Sequence, residues 1–307
     1  PAAMMTMLSA MPRSAVRCRI IGLLLALAAL LAGCSSLRFA YNSAPELAYW
    51  WLDGYADFDD TQALRMREHL ASWQRWHRRT QLTDYAAWLA RVRAVAAEPA
   101  TPAQVCRLLD EAMARLDVAL EQAVPSLADM APTLTPAQLA HIERRYAKGN
   151  DEFREEFVHD TPAGRLAPRV RRAVERAQSL YGRLDAAQRE RIAAALRASP
   201  FDAEATLAER RARQADIVQT LRRIAVAGDA PGPAQRDAAR AALRGVVQRL
   251  QRSPRAEHAA YQQRLTQYNC SVAAELHNLT TPAQRSTAAD KLRGWEEDLR
   301  ALAADPR

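Results

Sequence analysis

The chain has 307 residues, 43 basic and 35 acidic, with a formal net charge of +8; that length suits one large helical domain or two small ones. The hydrophobic share of 49% allows a sizeable core, although much of it is alanine, which buries little area per residue. A nucleic-acid partner is argued against: Arg13, Arg17 and Arg19 fall in a segment expected to be removed, leaving 40 basic against 35 acidic residues, and those are interleaved as on solvated helix faces.

The N-terminus carries the most specific pattern. Pro1 does not suit an initiator, and Met11 would open a conventional signal sequence. Arg13, Arg17 and Arg19 form a positive region, and Ile20 to Ala32 reads IIGLLLALAALLA without a charge. As a helix this run is roughly 20 Å long, against about 30 Å of hydrocarbon, too short for a comfortable membrane span and the right size for a signal core. Leu31-Ala32-Gly33-Cys34 follows. It resembles the bacterial lipobox at all four positions. The resemblance implies cleavage after Gly33, with Leu31, Ala32 and Gly33 read by the peptidase. Cys34 would then carry a diacylglyceryl group and an N-acyl chain, which hold the protein at a membrane. The alternatives are a plain secretory signal with a chance cysteine and an inner-membrane signal anchor. Ser35, rather than aspartate, follows the cysteine; in enterobacterial-type sorting this resembles an outer-membrane address.

Three domains are expected: a signal peptide at 1–33, a lipidated tether at 34–44, and a helical domain at 45–305 with a weak internal boundary near 125–135. From Pro45 onward the punctuation is helical. Glycine is scarce, and β-branched or aromatic runs of period two are absent. Pro45, Pro102, Pro136, Pro233, Pro254 and Pro282 sit where helices are expected to start. Thr101-Pro102-Ala103-Gln104 recurs as Thr135-Pro136-Ala137-Gln138 and Thr281-Pro282-Ala283-Gln284. Looser copies begin at Asp59, Asp185 and Gly232. Thr or Asp caps the free N–H groups, Pro takes the first helical position, and Gln reaches back as a capping box. The spacing is irregular, so repeated capping without a solenoid is the expectation.

Behind these starts the apolar residues keep helical period. Val105, Leu108, Leu109, Ala112, Leu116, Ala119, Leu120 and Ala123 make one stripe; Ala239, Leu243, Val246, Val247 and Leu250 a second; Ala288, Leu292, Trp295, Leu299 and Leu302 a third. Loops are expected near Pro125–Pro132, Asp160–Pro168, Ser199–Asp202 and Gly228–Pro233. The fold class is all-α, a multi-helix bundle or array of antiparallel amphipathic helices.

Two stretches are not generic. One runs from Tyr41-Asn42 through Trp50-Trp51-Leu52-Asp53-Gly54-Tyr55-Ala56-Asp57-Phe58 to Trp76-His77-Arg78-Arg79 and Tyr85. The other runs from Tyr268-Asn269-Cys270 to Gly294-Trp295-Glu296-Glu297. With the lipobox, these resemble a family of proteobacterial lipoproteins of unknown function. The resemblance implies an exported helical lipoprotein and no activity. Leu134-Thr135-Pro136-Ala137-Gln138 is also similar to the L-T-x-x-Q motif of the Spy/CpxP-like periplasmic chaperones, which are shorter and not lipidated.

Cys18 leaves with the signal and Cys34 takes lipid, so Cys106 and Cys270 remain as an even pair in an oxidising compartment and are expected to form a disulfide. Against this, Cys270 lies off the Tyr261/Leu265/Tyr268/Val272/Leu276 stripe, beside Ala273, Ala274 and His277; that second face would have to pack too. Trp50, Trp51, Trp73, Trp76 and Trp88 crowd the N-terminal part. They supply either a membrane-interface or ligand-binding surface or the aromatic core of a helical hairpin. Asp53, Asp57, Asp59 and Asp60 lack Ca²⁺-loop spacing and are expected to cap helices and pair with Arg65 and Arg67. None of the histidines sits in a metal-ligand motif, and no phosphate-cradling or nucleophile-elbow motif is present. No enzyme, metal or cofactor is expected beyond the acyl chains on Cys34. The expected role is that of a lipid-tethered scaffold facing the periplasm from the outer membrane and binding an envelope protein. The alternative is a chaperone or hydrophobic-ligand binder using the aromatic region.

Overall fold

A computed structural model describes residues 36–158, 161–225 and 232–305. Residues 1–35, which include Leu31, Ala32, Gly33 and Cys34, lie outside the described residues, as does most of the expected 228–233 loop. Two compact units divide at Ala44 and Pro45. In the first, the described residues 36–44 are helical, where a tether was expected.

The described residues form eleven α-helices and one 3₁₀ turn, with no strand among them. In chain order these are α1 (Ser36–Ala56), α2 (Asp60–Thr80), α3 (Leu82–Ala97), α4 (Pro102–Met130), the 3₁₀ turn Ala131–Thr133, α5 (Pro136–Phe157) and α6 (Pro162–Tyr181). Then follow α7 (Ala186–Arg197), α8 (Ala203–Ala225), α9 (Pro233–Gln251), α10 (Ala256–Asn278) and α11 (Pro282–Ala304). The all-α expectation therefore holds.

Full capping boxes start α2, α4, α5, α7 and α11, at Asp59, Thr101, Thr135, Asp185 and Thr281. At Gly232 half of the box survives: Gln235 Oε1 accepts from the Gly232 N–H at 2.8 Å, and glycine has no side chain to answer it. Gly182 ends α6 at φ 77° and ψ −152°, an extended positive-φ conformation that is essentially glycine's alone and costs a residue with Cβ about 1–3 kcal/mol. Asp57 ends α1 at φ 50°, which aspartate tolerates better than most.

Prolines depart from the expectation in three places. Pro45, Pro125 and Pro168 lie inside α1, α4 and α6. The expected loops at 125–132 and 160–168 are therefore mostly helix, and α4 runs on to Met130 and straight into the 3₁₀ turn. An interior proline costs roughly 3 kcal/mol of helix. At Pro125 burial offsets this: Val124 and Ala128 beside it are almost fully inaccessible and pack on Ala239 and Leu243 of α9.

In the second unit the core is distributed among small clusters. Ala56, Leu134, Leu139 and Ile142 pack on Val218 of α8. Tyr49, Ala63, Met66 and Met130 join α1, α2 and α4. The broadest helix contact is between α3 and α11, while α4 packs on α2, α9 and α10, and α5 on α8. The α9 stripe is buried as expected at Ala239, Leu243 and Val246. The α4 stripe is mixed: Ala119 is buried and Val105, Leu108, Ala112 and Ala123 are partly so, while Leu109, Leu116 and Leu120 stand substantially exposed with Met113. On α11 Trp295 turns outward and Glu296 inward, where Glu296 meets Arg93 at 3.3 Å and Arg300 at 2.6 Å.

Candidate functional site

The five N-terminal tryptophans do not share one surface. On α1, Trp50 and Trp51 are 60% and 64% exposed, next to the equally exposed Leu47. The helix turns Tyr49 the other way, where Phe58 stacks on it at 6.5 Å and the Arg67 guanidinium lies 3.6 Å from its ring centre. Trp73 and Trp76 share a face of α2, 6.0 Å apart, and Trp73 stacks on His77 at 4.7 Å. Tyr85 of α3 meets the same imidazole edge-on at 5.2 Å. The Trp73 indole N–H donates to the Ala119 carbonyl at 3.1 Å, fastening α2 to α4. Trp88 is half-buried on α3, with Arg115 5.8 Å from its ring. So Trp73, Trp76 and Trp88 belong to a packed hairpin, and Trp50 and Trp51 form the exposed part.

The His77 imidazole is buried, and burial lowers its pKa from 6.5 to about 4. It is neutral near pH 7 and serves as a packing surface for the rings. His277 is likewise built in: its ring nitrogens face the Tyr181 hydroxyl at 2.9 Å and the Glu98 carbonyl at 2.8 Å. His69 faces Asp129 at 3.0 Å.

The acidic residues beside Trp50 and Trp51 do helix-end work. Asp53 Oδ1 accepts from the Phe58 N–H at 3.0 Å, and Asp59 Oδ1 from the Gln62 N–H at 2.9 Å. The expected pairing with Arg67 is replaced by a contact to Glu46 at 3.5 Å. Among the described residues no cluster of His, Cys, Asp and Glu has the makings of a metal site.

Cys106 of α4 and Cys270 of α10 form a disulfide, their Cα atoms 5.4 Å apart. The objection from helical period resolves simply. The face with Cys270, Ala274 and His277 is the buried one on α10, while Tyr261, Leu265, Tyr268 and Val272 pack at intermediate depth. Both faces are used because small residues let α10 approach closely.

Sequence reasoning missed a feature of the capping boxes. Gln62 and Gln138, each the last residue of a box, are buried against one another. Gln62 Nε2 donates to the Thr133 carbonyl, and Gln138 Nε2 to the Asp57 carbonyl, each at 2.8 Å. Gln188 and Gln284 repeat the arrangement, donating to the Leu279 and Arg183 carbonyls at 3.1 and 2.8 Å. In every case the acceptor stands two residues before the partner's cap. Each pair thus locks two helix starts together head to head.

A family model described as a family of unknown function, DUF6279, matches residues 54–230, more than half of the chain. The chain belongs to the DUF6279 family. The expected membership in a family of unknown function is met at that level. The DUF6279 stretch takes in Gln62, Gln138, Trp73, Trp76, Trp88 and Cys106, and leaves Trp50, Trp51 and Cys270 outside. No curated protein and no solved structure matches the chain. No helix among the described residues is long and apolar enough to cross a membrane.

Proposed function

We propose that this DUF6279 protein is a lipid-anchored lipoprotein of the outer membrane, facing the periplasm, whose helical body has a non-catalytic structural or protein-interaction role. The observation that carries the reading is the tetrapeptide Leu31-Ala32-Gly33-Cys34 behind a basic segment and a 13-residue apolar run. One acyl chain binds a bilayer marginally, whereas several hold it stably. The Cys106–Cys270 disulfide lends support, since such bonds persist in oxidising compartments. Metabolic labelling with palmitate tests it. Label is expected in the wild type and absent from Cys34→Ser, and equal label in both would refute the anchor.

A second reading, a chaperone or hydrophobic-ligand binder, is favoured by the exposed Leu47, Trp50 and Trp51. Apolar patches rimmed by polar residues commonly mark contact surfaces. It requires that the protein bind a hydrophobic dye and suppress aggregation of an unfolded client, and that the double change Trp50→Ser, Trp51→Ser abolish both.

A further inference from the structure

One side of α1 is left uncovered by the described residues. Leu47, Trp50 and Trp51 are spaced to share a face, and they are 61%, 60% and 64% exposed. At Gly54, one turn on, the surroundings are open too: no neighbouring side chain or helix of the described residues comes within 4 Å of where a Cβ would sit.

The charged groups of this part of the helix stand off that face. Glu46 meets Arg67 of α2 at 3.5 Å, and Asp53 accepts from the Phe58 N–H at 3.0 Å. Next to Trp51 the rim is again polar. Its ring lies 5.0 Å from that of Tyr55, and the Arg145 guanidinium of α5 lies 5.6 Å from the Tyr55 ring centre. An apolar centre without a charge, bordered by a phenol and a guanidinium, has the cross-section of the layer between hydrocarbon and headgroups. Tryptophan gathers in that layer, its ring in the apolar side and its N–H towards water.

The chain that precedes the face says what covers it. Only Ser35 stands between Cys34 and Ser36, the first residue of α1. Acyl chains on Cys34 would leave no linker before this helix. Even a fully extended chain from Cys34 to Trp51 spans no more than about 60 Å, a tether that keeps lipid at an effective concentration on the order of millimolar. The bilayer is therefore met before any diffusing partner.

Resting on the Cys34 anchor proposed above, we propose that Leu47, Trp50 and Trp51 dock on the bilayer, as a second membrane contact beside the acyl chains. Shallow burial of an apolar helix face in the headgroup boundary is how interfacial helices bind. The test uses the full-length lipoprotein extracted from membranes and reconstituted in vesicles of phosphatidylethanolamine with a minor share of phosphatidylglycerol. Lipids brominated near the glycerol end or near the methyl end of the acyl chains then report tryptophan depth by quenching. Quenching is expected in the wild type, stronger from the shallow bromine, and lost in Trp50→Phe/Trp51→Phe. Trp295→Phe, at an exposed tryptophan of α11, should keep it. The urea midpoint of the double variant should match the wild type, since both sites are exposed.

Palmitate labelling of the same preparation reports the anchor separately. Labelled protein that bromolipid does not quench, or quenches equally in the double variant, overturns the docking face and leaves the anchor standing. Unlabelled protein refutes the anchor; mixed with the same vesicles, it upholds the face only if quenching is saturable and lost in the double variant, and overturns it otherwise. An unfolded client that shields these tryptophans from acrylamide, while bromolipid leaves them bright, would assign the face to polypeptide and overturn the proposal.

Discussion

Removing the Gln138 side chain tests whether the paired capping boxes hold the fold. In the native structure its amide oxygen accepts from the Thr135 N–H at 2.9 Å, and its nitrogen donates to the Asp57 carbonyl at 2.8 Å and to Gln62 Oε1 at 2.6 Å. Gln138→Ala deletes these bonds, and those its oxygen accepts from the Thr135 hydroxyl at 3.2 Å and Gln62 Nε2 at 3.3 Å, at a site only 7% exposed, leaving the Asp57 carbonyl and the Gln62 amide short of partners. At about 1 kcal/mol per bond, and more where a buried group is stranded, the cost is about 2–4 kcal/mol. Gln104→Ala is the matched control. Gln104 closes an identical box on Thr101, but its bonds are exposed and its amide reaches no other helix; its loss should cost about 0.5–1 kcal/mol. Urea unfolding of the full chain would read both as changes in midpoint at constant slope. A Gln62/Gln138 double-mutant cycle should give coupling of about 1 kcal/mol, and a Gln138/Gln188 cycle none, because those residues belong to different pairs. If Gln138→Ala costs no more than Gln104→Ala, the pairing is incidental and the boxes are local caps only.

Replacing Cys106 and Cys270 together by Ala should lower stability by about 2–5 kcal/mol, the range for a cross-link closing a loop of this length, with 164 residues of sequence separation; mass mapping without reductant should find no free thiol at either position in the wild type. His77 gives a pH signature. Its folded pKa lies near 4, below the unfolded 6.5, so the unfolded chain binds more protons between those values. Its contribution is therefore intact above about pH 6.5 and declines towards pH 4, by roughly 3 kcal/mol at most; unfolding midpoints of His77→Phe should lack that part of the slope. Trp73→Phe loses the bond to the Ala119 carbonyl and should cost about 1–2 kcal/mol in urea, whereas Trp51→Ser, at an exposed site, should stay within about 0.5 kcal/mol.

Local chemistry made most of the fold legible. Cap, proline and glutamine are short-range signals, and they mark the starts of α2, α4, α5, α7 and α11 without any knowledge of neighbours. Proline misled where burial outweighed propensity, as at Pro125 between Val124 and Ala128. Helical period finds a stripe but not its depth. Leu109, Leu116 and Leu120 have the spacing of a core face and are exposed, while Ala274 and Cys270 form the inner face of α10 although their side chains are small. The glutamine pairs were hidden because a capping amide leaves an N–H₂ group free to reach another helix, and sequence does not say which. A cue does exist: Phe58, Leu134 and Leu184 precede paired boxes, while only Ala100 precedes the unpaired one at Thr101, and Thr280 breaks the pattern.

The aromatic region divides by structural duty, and the division decides where function can be looked for. Trp73, His77 and Tyr85 contact one another and, through the Ala119 carbonyl, α4; altering them disturbs packing before it disturbs any surface. Trp50 and Trp51 touch Tyr49 and Tyr55 only at ring-to-ring distances of 5.6 and 5.0 Å and keep most of their area in solvent. Exposed tryptophan contributes little to stability, and under the second reading proposed above Trp50 and Trp51 serve as a contact surface. Loss of binding on changing Trp50 and Trp51, with the urea midpoint unmoved, would separate that contact from the core; a midpoint that moves as far as it does in Trp73→Phe would return both residues to the fold.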